Sequence, residues 1–182
     1  MNQFILEKTR CYLIGPIESA LDCGVGWRQY CKSHLEWLDI IVFDPTDKPF
    51  VKDLSETNEM QISVKTLREN KQYEELSTIM REIRSYDLGL VDKSDFIIFN
   101  FNPNNLTCGS WEEFFLANRE KKPIFFVCEA GMEHVPLWVY GTISEKYIYT
   151  DMDDCLDMIT DIHTGAVEID SNRWRLLAKN YR

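Results

Sequence analysis

Two adjacent glutamates, Glu112 and Glu113, lie near the start of a predicted helix that follows a buried strand. The run Phe96–Asn100 is apolar enough for a central strand, and Gly109 marks the turn into the helix. In an open α/β sheet, ligands bind in the crevice beyond the carboxyl ends of the strands. A carboxylate at that position can therefore act on a ligand as well as support its own helix.

The same residues also admit a purely structural interpretation. Ser110 and Glu113 have the capping-box spacing, in which the serine hydroxyl and the glutamate carboxylate each bond to the other residue's backbone amide. Under that interpretation, Glu113 stabilises the end of its helix and Glu112 is an ordinary acid of the first turn. The local pattern leaves both capping and chemistry open.

The composition indicates one folded domain over residues 1–182. A hydrophobic content of 45% and a net charge of −10 favour a globular protein and argue against nonspecific binding to nucleic acid, which needs a basic surface. A local site can still hold a small phosphorylated ligand. The chain shows neither a signal-peptide core nor an apolar run long enough to cross a membrane. We therefore expect a cytoplasmic protein.

Six cysteines are scattered along the chain without any C-x-x-C pair. Several lie in apolar surroundings, which favours small reduced core residues over a disulfide framework or a metal site. We therefore predict no bound metal. The six positions are Cys11, Cys23, Cys31, Cys108, Cys128 and Cys155.

Strand and helix signals alternate along the chain, which predicts βαβ units and a parallel sheet. The predicted strands are residues 11–14, 39–43, 95–100, 123–128 and 146–150, and the mixed composition of the last favours a sheet edge. The predicted helices are residues 27–38, 73–91, 109–121, 134–138, 151–162 and 167–182. Residues 46–72 interrupt this alternation and predict a long connection or an excursion over the sheet edge, and long loops of this kind often form lids or binding loops or are simply surface.

Three of the predicted loops follow parallel strands and should open at the same edge of the sheet. They contain Gly15 with Pro16, Asp44 with Pro45, and residues 102–109. The helix before the third strand also carries Asp87, which is either a solvent-facing acid or a contributor to this edge.

Six short motifs occur in a characteristic order and spacing over roughly residues 11–130. They are Tyr12-Leu13-Ile14-Gly15-Pro16, Trp27-Arg28, Phe43-Asp44-Pro45, Asp87 ahead of Ser94-Asp95-Phe96-Ile97-Ile98-Phe99-Asn100, Gly109-Ser110 followed by Glu113 and Ala117, and Lys122-Pro123-Ile124. Together they resemble the nucleoside 2-deoxyribosyltransferase family, including its G-T/S-x-x-E-x-x-x-A pattern and the G-K-P-hydrophobic sequel.

The resemblance implies an α/β fold with a flavodoxin/Rossmann-like five-stranded parallel sheet and helices on both faces. It also implies cleavage or transfer at the N-glycosidic bond of a 2′-deoxynucleoside or deoxynucleotide. Glu113 is then the nucleophile that attacks the anomeric carbon, as in retaining glycoside chemistry. Asp87 is the candidate acid/base and Tyr12 the phenol that positions Glu113, although Tyr12 can equally be a buried strand aromatic. No metal or organic cofactor is required.

The resemblance further implies substrate-binding groups around the nucleophile. These are Gly15, Pro16, Arg28, Asp44, Asn100, Asn104, Gly109 and Ser110. Ser19 and Arg28 can meet a phosphate, or Arg28 can form an ion pair. Asn104 or Asn105 can replace an aspartate that family members carry, or this loop can be an exposed turn. His134 and Trp138 can line a base pocket or pack in a core or interface.

Alternative functions and assemblies remain open from the sequence. A non-catalytic nucleotide-binding or interaction protein could keep the same fold, whereas a dinucleotide-binding protein would need a G-x-G-x-x-G that is missing after the first strand. The sequence does not decide between transfer and hydrolysis. The resemblance implies a small-molecule nucleoside or nucleotide as the partner and a homo-oligomer, for which residues 174–182 are a candidate contact or could pack on their own domain.

Overall fold

A computed structural model describes residues 4–168 and 172–174 and shows a five-stranded, all-parallel sheet. The strands are β1 (Arg10–Ile14), β2 (Ile41–Phe43), β3 (Phe96–Asn100), β4 (Ile124–Val127) and β5 (Ile148–Tyr149). Their order across the sheet is β2-β1-β3-β4-β5, which leaves β5 at an edge. The predicted fold class is confirmed.

Helices cover both faces of the sheet. They are α1 (Val25–Trp37), α2 (Asn58–Glu69), α3 (Tyr73–Lys93), α4 (Cys108–Arg119), α5 (Leu137–Tyr140) and α6 (Met152–Thr164). Helices α1 and α6 contribute buried side chains to one core, and α3 and α4 contribute to a second core on the opposite face. Because β1, β3 and β4 are covered on both faces, they appear in the sequence as nearly continuous apolar runs.

Successive residues of β1 belong to different cores. Leu13 lies in the core beneath α1 and α6, whereas Tyr12 and Ile14 lie in the core beneath α3 and α4. Side chains of a strand alternate between the faces of the sheet, so this division follows from strand geometry. It places Tyr12 on the same face as the two helices that carry Asp87 and Glu113.

Residues 46–72 differ from the long connection that the sequence predicts. The second half of this segment forms α2, which begins after Thr57, whose hydroxyl accepts a hydrogen bond from the Met60 amide at 3.3 Å. Helix α2 is largely polar and buries only Gln61 and Val64, so in the sequence it resembles a polar connection. The prediction is therefore wrong for this half, while the first half is a connection with one short 3-10 turn, Lys52–Leu54.

The predicted helix over residues 167–182 lies largely outside the described residues. Trp174, which begins the candidate oligomer contact, is only 2% exposed and packs against Phe96 and Phe125 in its own core. This side chain is therefore part of the domain interior, and residues 175–182 lie outside the described part of the chain.

Two further predictions bear on membranes and cysteines. Across residues 4–168 and 172–174, no helix combines the length and apolar character needed to cross a bilayer. All six cysteines are free. Five of them are buried, as predicted for small core residues, whereas Cys108 is exposed.

Candidate active site

The side chains of Tyr12 and Glu113 meet across 101 positions of sequence. The Tyr12 hydroxyl donates a hydrogen bond to Glu113 Oε1 at 2.7 Å. Tyr12 is fully buried within β1, and Glu113 lies in the second turn of α4, where its side chain keeps partial access to solvent. The phenol thus fixes one carboxylate oxygen of a residue that is partly exposed as a whole.

The capping-box interpretation of Ser110 and Glu113 is wrong. Helix α4 begins at Cys108 with Thr107 as its N-cap, and no side chain caps it, so Ser110 lies inside the helix. The Ser110 hydroxyl donates instead to the Gly15 carbonyl oxygen at 3.4 Å. Because the helix begins at Cys108, two residues before the predicted cap Ser110, Glu113 is too far from the end of the helix to cap it.

Glu112 differs sharply from its neighbour Glu113. Its carboxylate forms an exposed ion pair with Arg84, whose Nε donates to Glu112 Oε2 at 2.8 Å. Glu112 is thus a surface residue. Because it is the same residue type at the adjacent position, a Glu112 variant is a suitable control for a Glu113 variant.

Asp87 is a buried acid rather than a solvent-facing one. It is 4% exposed, and Lys48 Nζ lies 2.7 Å from Asp87 Oδ1. The Lys48 ammonium also donates to the Leu54 carbonyl oxygen at 2.8 Å. No local sequence signal indicates this ion pair, because Lys48 precedes a proline in a polar stretch that is typical of an exposed loop.

Glu56 is a third acid of the cluster, and the sequence interpretation missed it as well. The nearby charge of Asp87 acts on its carboxyl, and Glu56 Oε2 accepts a hydrogen bond from Gln61 Nε2 at 3.4 Å. The Glu56 amide donates to the Pro45 carbonyl oxygen at 3.0 Å, which fixes this end of the connection. Glu56 keeps partial access to solvent.

The three acids hold protons more strongly than isolated carboxyls. Burial and the nearby charge of Asp87 raise the pKa of Glu113 to about 8, against the opposing hydrogen bond from Tyr12. Burial and Asp87 likewise raise the pKa of Glu56 to about 7. Burial also raises the pKa of Asp87, while the Lys48 ammonium acts in the opposite direction.

Tyr12 remains a hydrogen-bond donor at any ordinary pH. Burial raises its pKa well above 10, and the charge of Glu113 adds to that shift. The phenol therefore keeps its proton and can stabilise the ionised form of Glu113.

Arg28 is buried as a support for the loops around the site. Its guanidinium donates to the carbonyl oxygens of Gly15 at 2.9 Å and Gly24 at 3.0 Å, and its Nε lies 3.7 Å from Asp44 Oδ1. Asp44 itself accepts hydrogen bonds from the Thr46 amide and hydroxyl. Arg28 is fully buried and Asp44 is 5% exposed, so these two predicted substrate-binding residues instead join the loops that follow β1 and β2.

An open cleft of about 530 Å³ lies at the carboxyl edge of the sheet. Three of the predicted substrate-binding residues, Pro16, Asn100 and Asn104, line it. Trp27 also lines the cleft, and its buried indole N–H lacks a hydrogen-bond partner among the described residues. Glu113 is not among the residues that line this cleft.

The other predicted site residues take different positions. Gly15 lies so close to Trp27 that an added Cβ would be 2.6 Å from the indole ring, whereas Gly109 is exposed with open space around it. Asn104 is exposed in a turn, where its amide donates to the Asn102 side chain at 2.9 Å. Trp138 is 77% exposed, which excludes the core position considered for it.

Comparison with known proteins does not assign the chain to a family. No protein-family model matches it, and neither does any curated protein. The fold class and the geometry of the acid cluster therefore support the functional argument by themselves.

Proposed function

We propose that the protein cleaves or transfers the N-glycosidic bond of a 2′-deoxynucleoside or deoxynucleotide, with Glu113 as the nucleophile. The observation that carries the proposal is the 2.7 Å hydrogen bond from the Tyr12 hydroxyl to Glu113 Oε1. It orients the carboxylate of a partly exposed residue, on which two further acids, Asp87 and Glu56, act electrostatically. A nucleophilic carboxylate next to a proton-holding carboxyl is the arrangement that retaining glycoside chemistry requires.

The reaction takes place in two steps. A Glu113 oxygen attacks the anomeric carbon as the bond to the base breaks, which forms a glycosyl ester and requires a proton for the departing base. Water or a second base then attacks the same carbon and releases the carboxylate. Exclusion of water after the first base leaves decides between transfer and hydrolysis.

Tyr12 supports both steps from a fixed position. Its hydroxyl faces Glu113 Oε1, and burial keeps the phenol protonated because it raises the pKa of Tyr12 well above 10. The hydrogen bond favours the ionised carboxylate that attacks in the first step and leaves in the second. This role needs no metal or organic cofactor.

The charge around the cleft favours an unphosphorylated substrate. Asp22 and Glu129 line the cleft, whereas no lysine or arginine does so in the described part of the chain. Arg28, the predicted phosphate ligand, is fully buried. We therefore propose a 2′-deoxynucleoside as the preferred small-molecule partner over its 5′-phosphate.

A second candidate function is binding without catalysis. Glu113 does not line the open cleft, so a nucleoside could occupy the cleft without meeting the carboxylate. The two functions differ in turnover. Under the catalytic proposal, incubation with a panel of deoxynucleosides releases free base, and Glu113→Ala abolishes that release while Glu112→Gln preserves it. Binding without any release by the wild-type protein would favour the second function.

We also propose a cytoplasmic location and a homo-oligomeric state. Six free thiols suit a reducing compartment. Cell fractionation tests the location, and analytical ultracentrifugation tests the oligomeric state.

A further inference from the structure

The exposed side of α3 carries four charged side chains that have no ionic partner. They are Arg81, Glu82, Asp92 and Lys93, and all four residues are exposed. None of them forms an ion pair within the described part of the chain. Two acids and two bases on one helix are therefore free to pair with another molecule.

These four charges form two matching sets along the helix. Glu82 and Lys93 are separated by about three turns, so they lie on the same edge of the exposed face. Arg81 and Asp92 have the same separation and lie on the other edge of that face. Each edge thus carries one acid and one base, at opposite ends of the same stretch of helix.

The surface between the two edges is formed by small residues. Ser85 and Gly89 lie about one turn apart on this face, and both line an open groove of about 720 Å³. Glycine is unfavourable inside a helix, and a Cβ added to Gly89 would meet no other part of the protein within 4 Å. Packing within the chain therefore gives no reason for a glycine here, whereas the close approach of a second helix would.

We propose that the protein forms a two-fold symmetric dimer through this face of α3, with a second copy of the same chain as the partner. A two-fold axis that relates antiparallel helices brings the same edge of each helix together in reverse order. Glu82 then lies opposite the partner's Lys93. On the other edge, Arg81 lies opposite the partner's Asp92. The symmetry repeats both contacts, so four complementary ion pairs surround the interface.

The charge pattern favours a second copy over an unrelated partner. The chain carries a net charge of −10, so two copies repel each other unless opposite charges meet where they touch. This face meets that condition with its own charges. Ser85 lies opposite the partner's Gly89, which lets the two helices approach closely. A contact between single helices is small for a protein interface, so we expect a dissociation constant on the order of 10–100 µM.

A charge-reversal experiment tests the pairing directly. Sedimentation velocity should show the wild-type protein changing from monomer to dimer as its concentration rises. Glu82→Lys and Lys93→Glu should each raise the dissociation constant by about tenfold or more, because two attractive contacts become repulsive. An equal mixture of these two variants should associate again, because every reversed charge then meets its opposite in a mixed dimer.

The matched control is Glu75→Lys, which makes the same charge change at an exposed position of α3 outside the paired stretch. It should leave the dissociation constant unchanged. Single variants that dimerise as the wild type does, or a mixture of two monomeric variants that stays monomeric, would overturn the inference.

Gly89→Leu gives a second and independent test. The fold should tolerate the substitution, because the added Cβ has open space and leucine favours a helix more than glycine does. The leucine side chain would occupy the space that the partner's helix needs, so the dissociation constant should rise by about tenfold or more. A folded variant with the wild-type dissociation constant would contradict the proposed interface.

This inference rests on the homo-oligomeric state proposed above and is independent of the proposed chemistry, so the proposals fail differently. A wild-type protein that stays monomeric at high concentration removes the oligomeric state and this inference together. An oligomer that persists in both single variants removes only the α3 interface. Release of free base by the wild-type protein tests the chemistry separately from either result.

Discussion

Lys48 and Asp87 form an ion pair in the interior of the domain, with Nζ 2.7 Å from Oδ1 and both side chains nearly excluded from solvent. The pair joins the connection after β2 to helix α3. Since Asp87 also acts electrostatically on Glu56 and Glu113, the ion pair influences the protonation of both glutamates.

Lys48→Met should destabilise the protein strongly near pH 8. Removal of the ammonium leaves the Asp87 carboxylate buried without its partner, a change that typically costs about 3–5 kcal/mol. Urea unfolding measures the loss, and Lys52→Met in the exposed 3-10 turn is the control. The loss should shrink towards pH 5 as the cluster takes up protons. An effect no larger than that of Lys52→Met would contradict the importance of this pair.

Tyr12→Phe should slow turnover while preserving the fold. The phenylalanine keeps the buried ring but removes the hydrogen bond to Glu113 Oε1, which is worth about 10- to 100-fold in rate for a bond to a charged group. Because that bond lowers the pKa of Glu113, its loss should also move the acid limb of the kcat/KM profile to higher pH. Steady-state kinetics test both effects. Tyr140→Phe, whose hydroxyl bonds to the Met132 carbonyl outside the cluster, should change neither.

Glu113→Gln should flatten the dependence of stability on pH. Burial and Asp87 raise the pKa of Glu113 from its ordinary value of 4.5 to about 8. Its stabilising contribution is therefore fully present below pH 4.5 and is lost as the pH rises to about 8. Because the side chain is partly accessible, we expect this loss to amount to about 1–3 kcal/mol in the wild type. Thermal or urea unfolding at several pH values checks it, and equal slopes for wild type and variant would be the contrary result.

Arg28→Met should act on stability rather than on phosphate recognition. The substitution leaves the Gly15 and Gly24 carbonyl oxygens without their buried donor, at a cost of about 1–3 kcal/mol. Urea unfolding measures this cost, with exposed Arg68→Met as the control. The ratio of KM values for a deoxynucleoside and its 5′-phosphate should not change. A selective rise in KM for the phosphate would restore Arg28 as a direct ligand.

The fold could be predicted because its signals are local and strong. Central strands such as β3 and β4 are buried on both faces, so each appears as a continuous apolar run. Helix α2 was missed because it buries only two residues and hardly differs from a polar loop. The start of α4 was misplaced because Ser110 and Glu113 match a capping pattern that the helix, which begins at Cys108, does not use.

The site was only partly visible in the sequence for a different reason. Tyr12, Asp87 and Glu113 belong to recognisable motifs, and the structure brings these three residues together in one cluster. Lys48 and Glu56 belong to a polar connection, and tertiary packing alone buries Lys48 beside Asp87 and brings Glu56 within electrostatic reach of Asp87. Residue type and spacing do not indicate such burial. The charges of the cluster could therefore be assigned only from the three-dimensional structure.

The most direct test of the central claim is to trap the sugar on the protein. Wild-type protein mixed rapidly with a deoxynucleoside, quenched in acid and digested should yield the peptide that contains Glu113 with the added mass of one 2-deoxyribosyl group. Glu113→Ala should yield no such adduct, and Glu112→Gln should yield it as the wild type does. Free base released without any adduct on this peptide, or an adduct that persists in Glu113→Ala, would contradict Glu113 as the nucleophile.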